Sequence, residues 1–355
     1  MTKFVVTPSN EVQRAAWMGG AIPDVERVRP GLWSVPVPIP INPLRYVLVY
    51  VLELGDGVAI VDAGWNTDEA YDALVAGLGV AGYAITDVRA VLVTHIHPDH
   101  YGLAGRVREM SGAWIGLHPA DARLVHERYD DSAIDALVAK ERALLDRCGV
   151  PPQTLDELAG ASMMIRHVVS MAQPDRLIED GDRLGLPGWE DLRAVWTPGH
   201  SPGHLCFVSP SRKLLFSGDH VLAKITPMVA VHPQSGPNPL ADYLDALAAV
   251  RELDVEEVLP AHEYRFLELG GRVDYVMAHH RERLTEIEGV LAAAGGVTCW
   301  EIATKLTWSR PWESIAPFMR RGANNETLAH LVWLEARGRA RRDAGERDLW
   351  HPAGR

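Results

Sequence analysis

Two rhythms of apolar residues run along the chain. Tyr46-Val47-Leu48-Val49-Tyr50-Val51-Leu52 is a continuous β-branched and aromatic run, followed by Gly55-Asp56-Gly57 and a second run, Val58-Ala59-Ile60-Val61. Such runs joined by a turn that tolerates positive φ predict a β-hairpin. Over residues 67–79 a cap and early acidic residues, Thr67-Asp68-Glu69, lead into Ala70, Leu74, Val75 and Leu78 at helical spacing. Further strands are expected at Val88–Val93, Leu192–Trp196, Leu205–Val208, Leu214–Phe216 and Val255–Leu259, with a helix over 240–252 before the last. Between 121 and 160, Leu124, Ile134, Leu137, Val138, Leu144 and Leu145 recur at helical intervals until Pro151-Pro152 breaks the run. This reads as a helical insertion of about 121–180. Residues 1–30 read as an irregular lead-in, and from 272 the pattern is entirely helical, ending in Leu328–Arg337 ahead of Gly338.

At 355 residues the chain is long enough for about two domains of roughly 150 residues each. The expected division is 1–30, a main domain at 31–271 and a small C-terminal domain at 272–355. Cys148, Cys206 and Cys299 are odd in number, far apart and form no CxxC pair. Neither a disulfide framework nor a thiolate zinc site is therefore expected, and a reducing cytoplasm fits. The short Phe4-Val5-Val6 run does not make a signal peptide, and no run approaches the roughly 18 apolar residues of a membrane span. Charge is uneven. The formal net charge is −12, but residues 272–355 hold 13 Lys+Arg against 11 Asp+Glu and the rest holds 22 against 36. An acidic body repels polyanions, so the expected partner is a small-molecule substrate and not nucleic acid. A homodimer is compatible with the sequence.

The chemistry sits where the strands end. Val58–Val61 runs into Asp62-Ala63-Gly64; Val88–Val93 into Thr94-His95-Ile96-His97-Pro98-Asp99-His100; Leu192–Trp196 into Thr197-Pro198-Gly199-His200; Leu214–Phe216 into Ser217-Gly218-Asp219; Val255–Leu259 into Pro260-Ala261-His262. Each delivers a His or an Asp. In extended backbone His95 and His97 point to one side, and Asp99 and His100 on the next turn face a second point. Two divalent metal ions sharing Asp219 satisfy the set, with His95, His97 and His200 on one and Asp99, His100 and His262 on the other. Imidazole and carboxylate without thiolate suit zinc, with iron or manganese as alternative occupants. Without an ion, so many converging polar groups would be left unsatisfied. His118, His126, His167, His220 and His232 lie outside these motifs and read as non-ligands, and Met163, Met164 and Met171 as packing fill.

The Val61-Asp62-Ala63-Gly64, His95-Ile96-His97-Pro98-Asp99-His100, Thr197-Pro198-Gly199-His200-Ser201-Pro202-Gly203-His204, Gly218-Asp219 and Pro260-Ala261-His262-Glu263 elements resemble the metallo-β-lactamase superfamily in its order. The TPGHSPGH string is most similar to the glyoxalase II and LACTB2-like branch. The resemblance implies an α/β fold, the αβ/βα sandwich, with the site along one edge. It also implies that Asp62 supports the ligand loop by hydrogen bonding and that His204 is not a ligand. Arg281–Leu291, Cys299–Leu306 and Asn325–Arg337 with Gly338-Arg339-Ala340 resemble the winged-helix-like domain that follows the hydrolase domain in LACTB2-like proteins. With so little net charge and Trp300, Trp308 and Trp312 to bury, its expected role is to dock and shape the substrate mouth, not to bind DNA.

The expected chemistry is hydrolysis by a metal-activated hydroxide oriented by Asp99, on a carboxylic thioester or ester of the acyl-glutathione or acyl-CoA type. Tyr101, Lys224 and Tyr243 are candidate substrate contacts, and the insertion is expected to wall the site. The competing readings are a LACTB2-type phosphodiesterase or ribonuclease, a lactonase or β-lactamase, and an iron-dependent sulfur dioxygenase. A flavodiiron oxidoreductase is disfavoured by His97, where that motif has Glu.

Overall fold

The computed structural model describes residues 4–40, 42–160 and 168–354. His167, Met163 and Met164 lie outside them. A seven-stranded sheet runs in sequence order through β1 (Glu26–Arg29), β2 (Leu32–Pro38), β3 (Tyr46–Leu54), β4 (Gly57–Val61), β5 (Val88–Leu92), β6 (Trp114–Leu117) and β7 (Arg176–Leu177). Its first four strands are an antiparallel meander, and the expected hairpin is β3 with β4. From β4 onward pairing is parallel, because helices carry the chain back between strands. These are α2 (Asp68–Ala81), capped by Thr67 as anticipated, then α3 (Pro98–Tyr101) and α4 (Ala104–Ser111).

The second sheet is ordered β11 (Glu257–Pro260), β10 (Leu214–Gly218), β9 (Leu205–Ser209), β8 (Arg193–Trp196), with α9 (Pro239–Arg251) making the one parallel crossover into β11. Alternation along β3 explains the sandwich. Tyr46, Leu48, Tyr50 and Leu52 join Phe207, Leu214 and Phe216 in the core between the sheets. Val47, Val49 and Val51 face the other way, into the core that α2 covers with Leu74 and Leu78. A strand buried on both faces has no polar side, hence the unbroken apolar run.

The sheets are stitched together at the edge that carries the chemistry. Tyr46 Oη donates to the Glu263 carbonyl at 2.6 Å, Tyr50 Oη to that of Pro260 at 2.8 Å, and the Leu48 amide to that of Ala261 at 2.7 Å. These bonds fix the end of β11 against β3.

Helices α5 (Pro119–Ala122), α6 (Val125–Tyr129), α7 (Ile134–Arg147) and α8 (Pro152–Gly160) make up the described part of the insertion. The C-terminal segment comprises α10 (Leu269–Ala293), α11 (Cys299–Ala303), α12 (Pro317–Ala336) and a hairpin of β12 (Ala340–Asp343) with β13 (Leu349–Pro352). Val276, Leu284, Ile287, Leu291, Leu328 and Leu331 belong to the same core as the inter-sheet residues. The three cysteines are buried and free. Among the described residues no helix is long and apolar enough to cross a membrane.

Several expectations need correction. The lead-in is not irregular: Asn10 caps α1 (Glu11–Gly19) by accepting from the Val12 and Gln13 amides, and β1 follows. The segment from 272 is not entirely helical, since β12 and β13 close it. β2 was hidden by Pro36 and Pro38, which fall beyond the Leu32–Ser34 stretch paired with β1, where a missing N–H costs no ladder bond. β6 and β7 are too short for a periodic signal. Met171 is 43% exposed and fills no gap.

Candidate metal centre

The strand ends converge on one point of the sandwich edge. Asp62, just past β4, takes a left-handed φ of 63°. Its Oδ1 accepts from the Thr94 amide at 2.8 Å and its Oδ2 lies 2.8 Å from His100 Nδ1. Beyond β5 the chain leaves the sheet, so His95 and His97 stand on a loop, with Asp99 and His100 in the first turn of α3. His95 Nε2 and His97 Nδ1 still converge, 2.8 Å apart. Past β10, Gly218 has φ +49°, and a Cβ there would meet His204 Nε2 at 2.7 Å and Thr94 Cβ at 2.9 Å. Only glycine lets the chain turn here to present Asp219.

Among the described residues, three groups of ligand atoms each lie within 4.8 Å of one another: His95, His97 and His200; His95, His100 and Asp219; Asp99, His100 and His262. Asp219 faces both sides, with Oδ2 3.5 Å from His200 Nε2 and Oδ1 3.3 Å from His262 Nε2 and 3.7 Å from His100 Nε2. Asp99 Oδ2 is 3.4 Å from His262 Nε2. Most of these separations are long for hydrogen bonds. They suit the edge of a tetrahedron around an ion with bonds of about 2.0–2.1 Å.

The donors fit a cation on a second count. His100 Nε2, His200 Nε2, His262 Nε2 and Asp219 Oδ1 are buried and have no hydrogen-bond partner. The opposite nitrogen of each imidazole is held: His100 Nδ1 by Asp62, His200 Nδ1 by the Met228 carbonyl at 2.8 Å and His262 Nδ1 by the Tyr46 carbonyl at 2.8 Å. Fixing the Nδ1 proton in this way leaves the Nε2 lone pair aimed inward.

Electrostatics agree. Burial would strip protons from His100 and His262, yet the carboxylates outweigh it. Asp62, Asp99 and Asp219 raise His100, and Asp219 and Asp99 bring His262 up to about 10. His95 is pushed down by burial and then by the neighbouring imidazoles. The cluster is a cation trap.

Asp121 is a site residue that the sequence did not mark. Fully buried at the start of α5, its carboxylate accepts from the Ile96 amide at 2.9 Å, Ser201 Oγ at 2.8 Å and the Gly203 amide at 2.7 Å. It ties the His95–His97 loop to the His200 loop. A Cβ on Gly203 would sit 2.6 Å from the Asp121 amide, so the approach requires glycine. Glu263, left-handed at φ 72°, accepts from the Lys224 and Ile225 amides at 2.6 and 3.1 Å and so holds the segment after Asp219. His204 stays out of the ligand groups: Thr197 Oγ1 lies 2.7 Å from its Nδ1, and its Nε2 accepts from the Asp219 amide at 3.1 Å.

The three candidate substrate contacts are placed elsewhere. Tyr101 is buried, its hydroxyl bonded to both the carbonyl and the amide of Ala172, its ring stacked on Tyr129. Tyr243 donates to the His220 carbonyl at 2.9 Å inside the core. Lys224 Nζ lies 3.7 Å from Met18 Sδ at the surface.

A cleft includes His97 and His200 and is lined by Ile134, Leu137 and Val138 of α7 and by Gly322 and Asn325 of α12. The insertion thus lines the site as expected, and the C-terminal segment contributes to the same lining.

The metallo-beta-lactamase superfamily profile matches residues 42–262. A probable metallo-hydrolase, YqjP of Bacillus subtilis (strain 168), is 26% identical over 315 residues, 85% of this chain and 91% of its own length. The atrochrysone carboxyl ACP thioesterase dmxR1 of Cryptosporiopsis sp. (strain 8999) is 25% identical over 266 residues, 73% of this chain and 63% of its own. Among solved structures, a metallo-beta-lactamase family protein from Thermus thermophilus aligns with a TM-score of 0.78 at 32% identity, over 92% of this chain and all of that one. A beta-lactamase domain protein from Burkholderia ambifaria aligns with a TM-score of 0.80 at 25% identity, over 98% of each chain.

Proposed function

The chain belongs to the metallo-β-lactamase superfamily and is a metal-dependent hydrolase, and from that premise we propose that it cleaves a carboxylic thioester or ester of a small molecule at a dinuclear centre. His95, His97 and His200 would hold one ion, Asp99, His100 and His262 the other, with Asp219 facing both. When bound, such ions lower the pKa of a water toward about 7 and polarise a carbonyl oxygen. Zinc suits the nitrogen and oxygen donors.

The chain's own groups do the positioning. Asp62 locks the tautomer and angle of His100, and Asp121 keeps the two histidine loops in register. Burial favours a protonated Asp99, but His100 and His262 outweigh it and keep the carboxylate ionised, able to accept a proton at Oδ1 or Oδ2. Ile134, Leu137 and Val138 of α7 present apolar side chains in the cleft that also includes His97 and His200.

One observation carries the choice of substrate class. The cleft is lined from both α7 and α12 and, among the described residues, by two arginines, Arg128 and Arg321, in a chain of net charge −12; this suits a compact acyl compound and falls short of the run of basic groups that a polynucleotide needs. The thioesterase named among the relatives supports the same class. The C-terminal segment, with three helices followed by a β-hairpin, fits a winged-helix-like unit used as a wall of the cleft. The test is a panel at equal enzyme concentration, with zinc and with iron: acyl-glutathione and acyl-CoA thioesters, a lactone, a cephalosporin reporter, an aryl phosphodiester and single-stranded RNA. A thioester is expected to give the highest kcat/KM. RNA turned over tenfold better than any thioester, or oxygen uptake with a persulfide in the iron form, would defeat the proposal.

A further inference from the structure

The cleft beyond the metal centre has a charge of its own. Arg128 of α6 and Arg321 of α12 come from the insertion and the C-terminal segment, and both line the cleft that includes His97 and His200. Arg128 donates to Gln234 Oε1 at 3.2 Å, on the His232–Gln234 loop that also lines the cleft. Among the described lining residues the carboxylate is Glu141 of α7, 5% exposed, whose Oε1 accepts from Asn325 Nδ2 at 2.9 Å. His232 adds no charge: burial, then Arg128, Arg321 and His200, push its pKa down to about 3. Among the described lining residues, two guanidiniums stand against one carboxylate and a neutral imidazole, one positive charge in excess inside a protein whose formal net charge is −12.

That excess is costly where it stands. Burial weakens the protonated form of Arg321, Glu141 opposes this, and Arg128 adds like-charge repulsion. Two cations held together in a partly desolvated cleft are stabilised when an oxyanion enters, and planar guanidiniums bind carboxylate, sulfonate or phosphate oxygens in pairs. Apolar residues share the lining with them: Ile134, Leu137 and Val138 on α7, and Met228 and Ala230.

We infer that the substrate carries a terminal oxyanion on a short apolar arm, received by Arg128 and Arg321 while its scissile bond lies beside His97 and His200. This rests on the proposed function only in taking the cleft as the substrate's approach to the metals. The two arginines are specificity residues, not reacting groups.

The test reads binding without turnover. Metal-replete protein is titrated calorimetrically with hexane-1-sulfonate, a poor metal ligand, with hexyl phosphate, and with hexan-1-ol as the neutral counterpart. Wild type is expected to bind at least one of the anions about tenfold or more tightly than the alcohol, in a salt-sensitive manner. Arg128→Gln and Arg321→Gln, each checked for wild-type metal content and circular dichroism, are expected to abolish most of that margin and to leave the alcohol within about twofold. If Arg321→Gln does not fold, Arg128→Gln carries the test, since its partner Gln234 sits on a loop. A tighter phosphate assigns a dianionic head group, a tighter sulfonate a monoanionic one. No anion preference in wild type, or a margin that survives the variants, overturns the inference. A protein that hydrolyses no thioester can still pass, and a thioesterase indifferent to both arginines fails.

Discussion

Asp62 Oδ2 and His100 Nδ1 lie 2.8 Å apart, both side chains all but sealed from solvent. The carboxylate holds a proton on the face of the imidazole that points away from the centre, which leaves Nε2 for an ion. Asp62→Ala would free the ring to rotate and strand the Thr94 amide and hydroxyl that the carboxylate also receives. Such partners of metal-binding histidines typically matter by about 10–100-fold. The expected result is a loss of that size in metal affinity or kcat/KM, read by competition with a chromogenic chelator and by steady-state kinetics. Unchanged values would remove Asp62 from the supporting role.

Two metal equivalents per chain are expected in protein purified without chelators, by elemental analysis. Asp99→Ala should retain about one, because His95, His97 and His200 keep a full group without it, whereas Asp99 belongs to the group with His100 and His262. One equivalent or none in wild type would contradict the dinuclear reading.

Asp121→Ala would leave the Ile96 and Gly203 amides and the Ser201 hydroxyl without their acceptor in a buried space. Each lost charge-assisted bond costs about 1–3 kcal/mol, so a loss of at least about 3 kcal/mol in denaturant unfolding is expected. The ion held by His95, His97 and His200 should bind more weakly as well. A neutral effect on both would make Asp121 a passive core residue.

Metal binding should release protons. In the metal-free chain the carboxylates raise both His100 and His262, the latter to about 10, so at pH 7 these imidazoles carry protons that an ion must displace. Affinity is therefore expected to weaken as pH falls. Titration with zinc in buffers of different ionisation enthalpy should report at least one proton released per chain, and zero release would contradict it.

Glu326 on α12 offers a pH dependence away from the metals. Burial raises its carboxyl from 4.5 to about 7, with Arg283 only partly opposing. The folded state thus binds more protons than the unfolded state between those values. The contribution is fully present below pH 4.5 and is lost as pH rises through 7. Glu326→Gln should change stability little at pH 5 and raise it by up to about 3 kcal/mol at pH 8, by chemical denaturation. An equal effect at both pH values would show the carboxyl to be solvated.

Removing residues 272–355 should not yield a soluble hydrolase. Val276, Leu284, Ile287, Leu328 and Leu331 are continuous with the inter-sheet core, and each buried leucine contributes about 2–5 kcal/mol. Aggregation on expression is the expected result. A stable, metal-loaded truncate would make the C-terminal segment an independent unit.

What the sequence determined by itself was local. The ligand residues could be read because each lies within a few positions of a strand end, and the strands are apolar enough to announce themselves. A run such as Val88–Leu92 followed by His95, His97, Asp99 and His100 carries both its scaffold and its chemistry in one short stretch. The pairing of Tyr46–Leu52 with Val58–Val61 was legible for the same reason, since the two-residue turn Gly55-Asp56 and the Gly57 that opens the second strand stand out between the apolar runs.

What only the tertiary structure decided depends on contacts between distant positions. Asp121 follows a His-Pro-Ala stretch that looks like any helix start, and it gains its role only when the Ile96 and Gly203 amides close on it. Tyr101 adjoins His100 and Tyr243 lies in the segment between Asp219 and His262, yet the fold spends their hydroxyls on the backbone at Ala172 and His220. Arg321 lies in a segment with no motif in common with the metal loops, and α12 brings it to the same cleft as Arg128. Burial and opposition of this kind arise from how helices and sheets pack. Periodicity along the chain records which face of an element is apolar, and not which distant polar group will meet it.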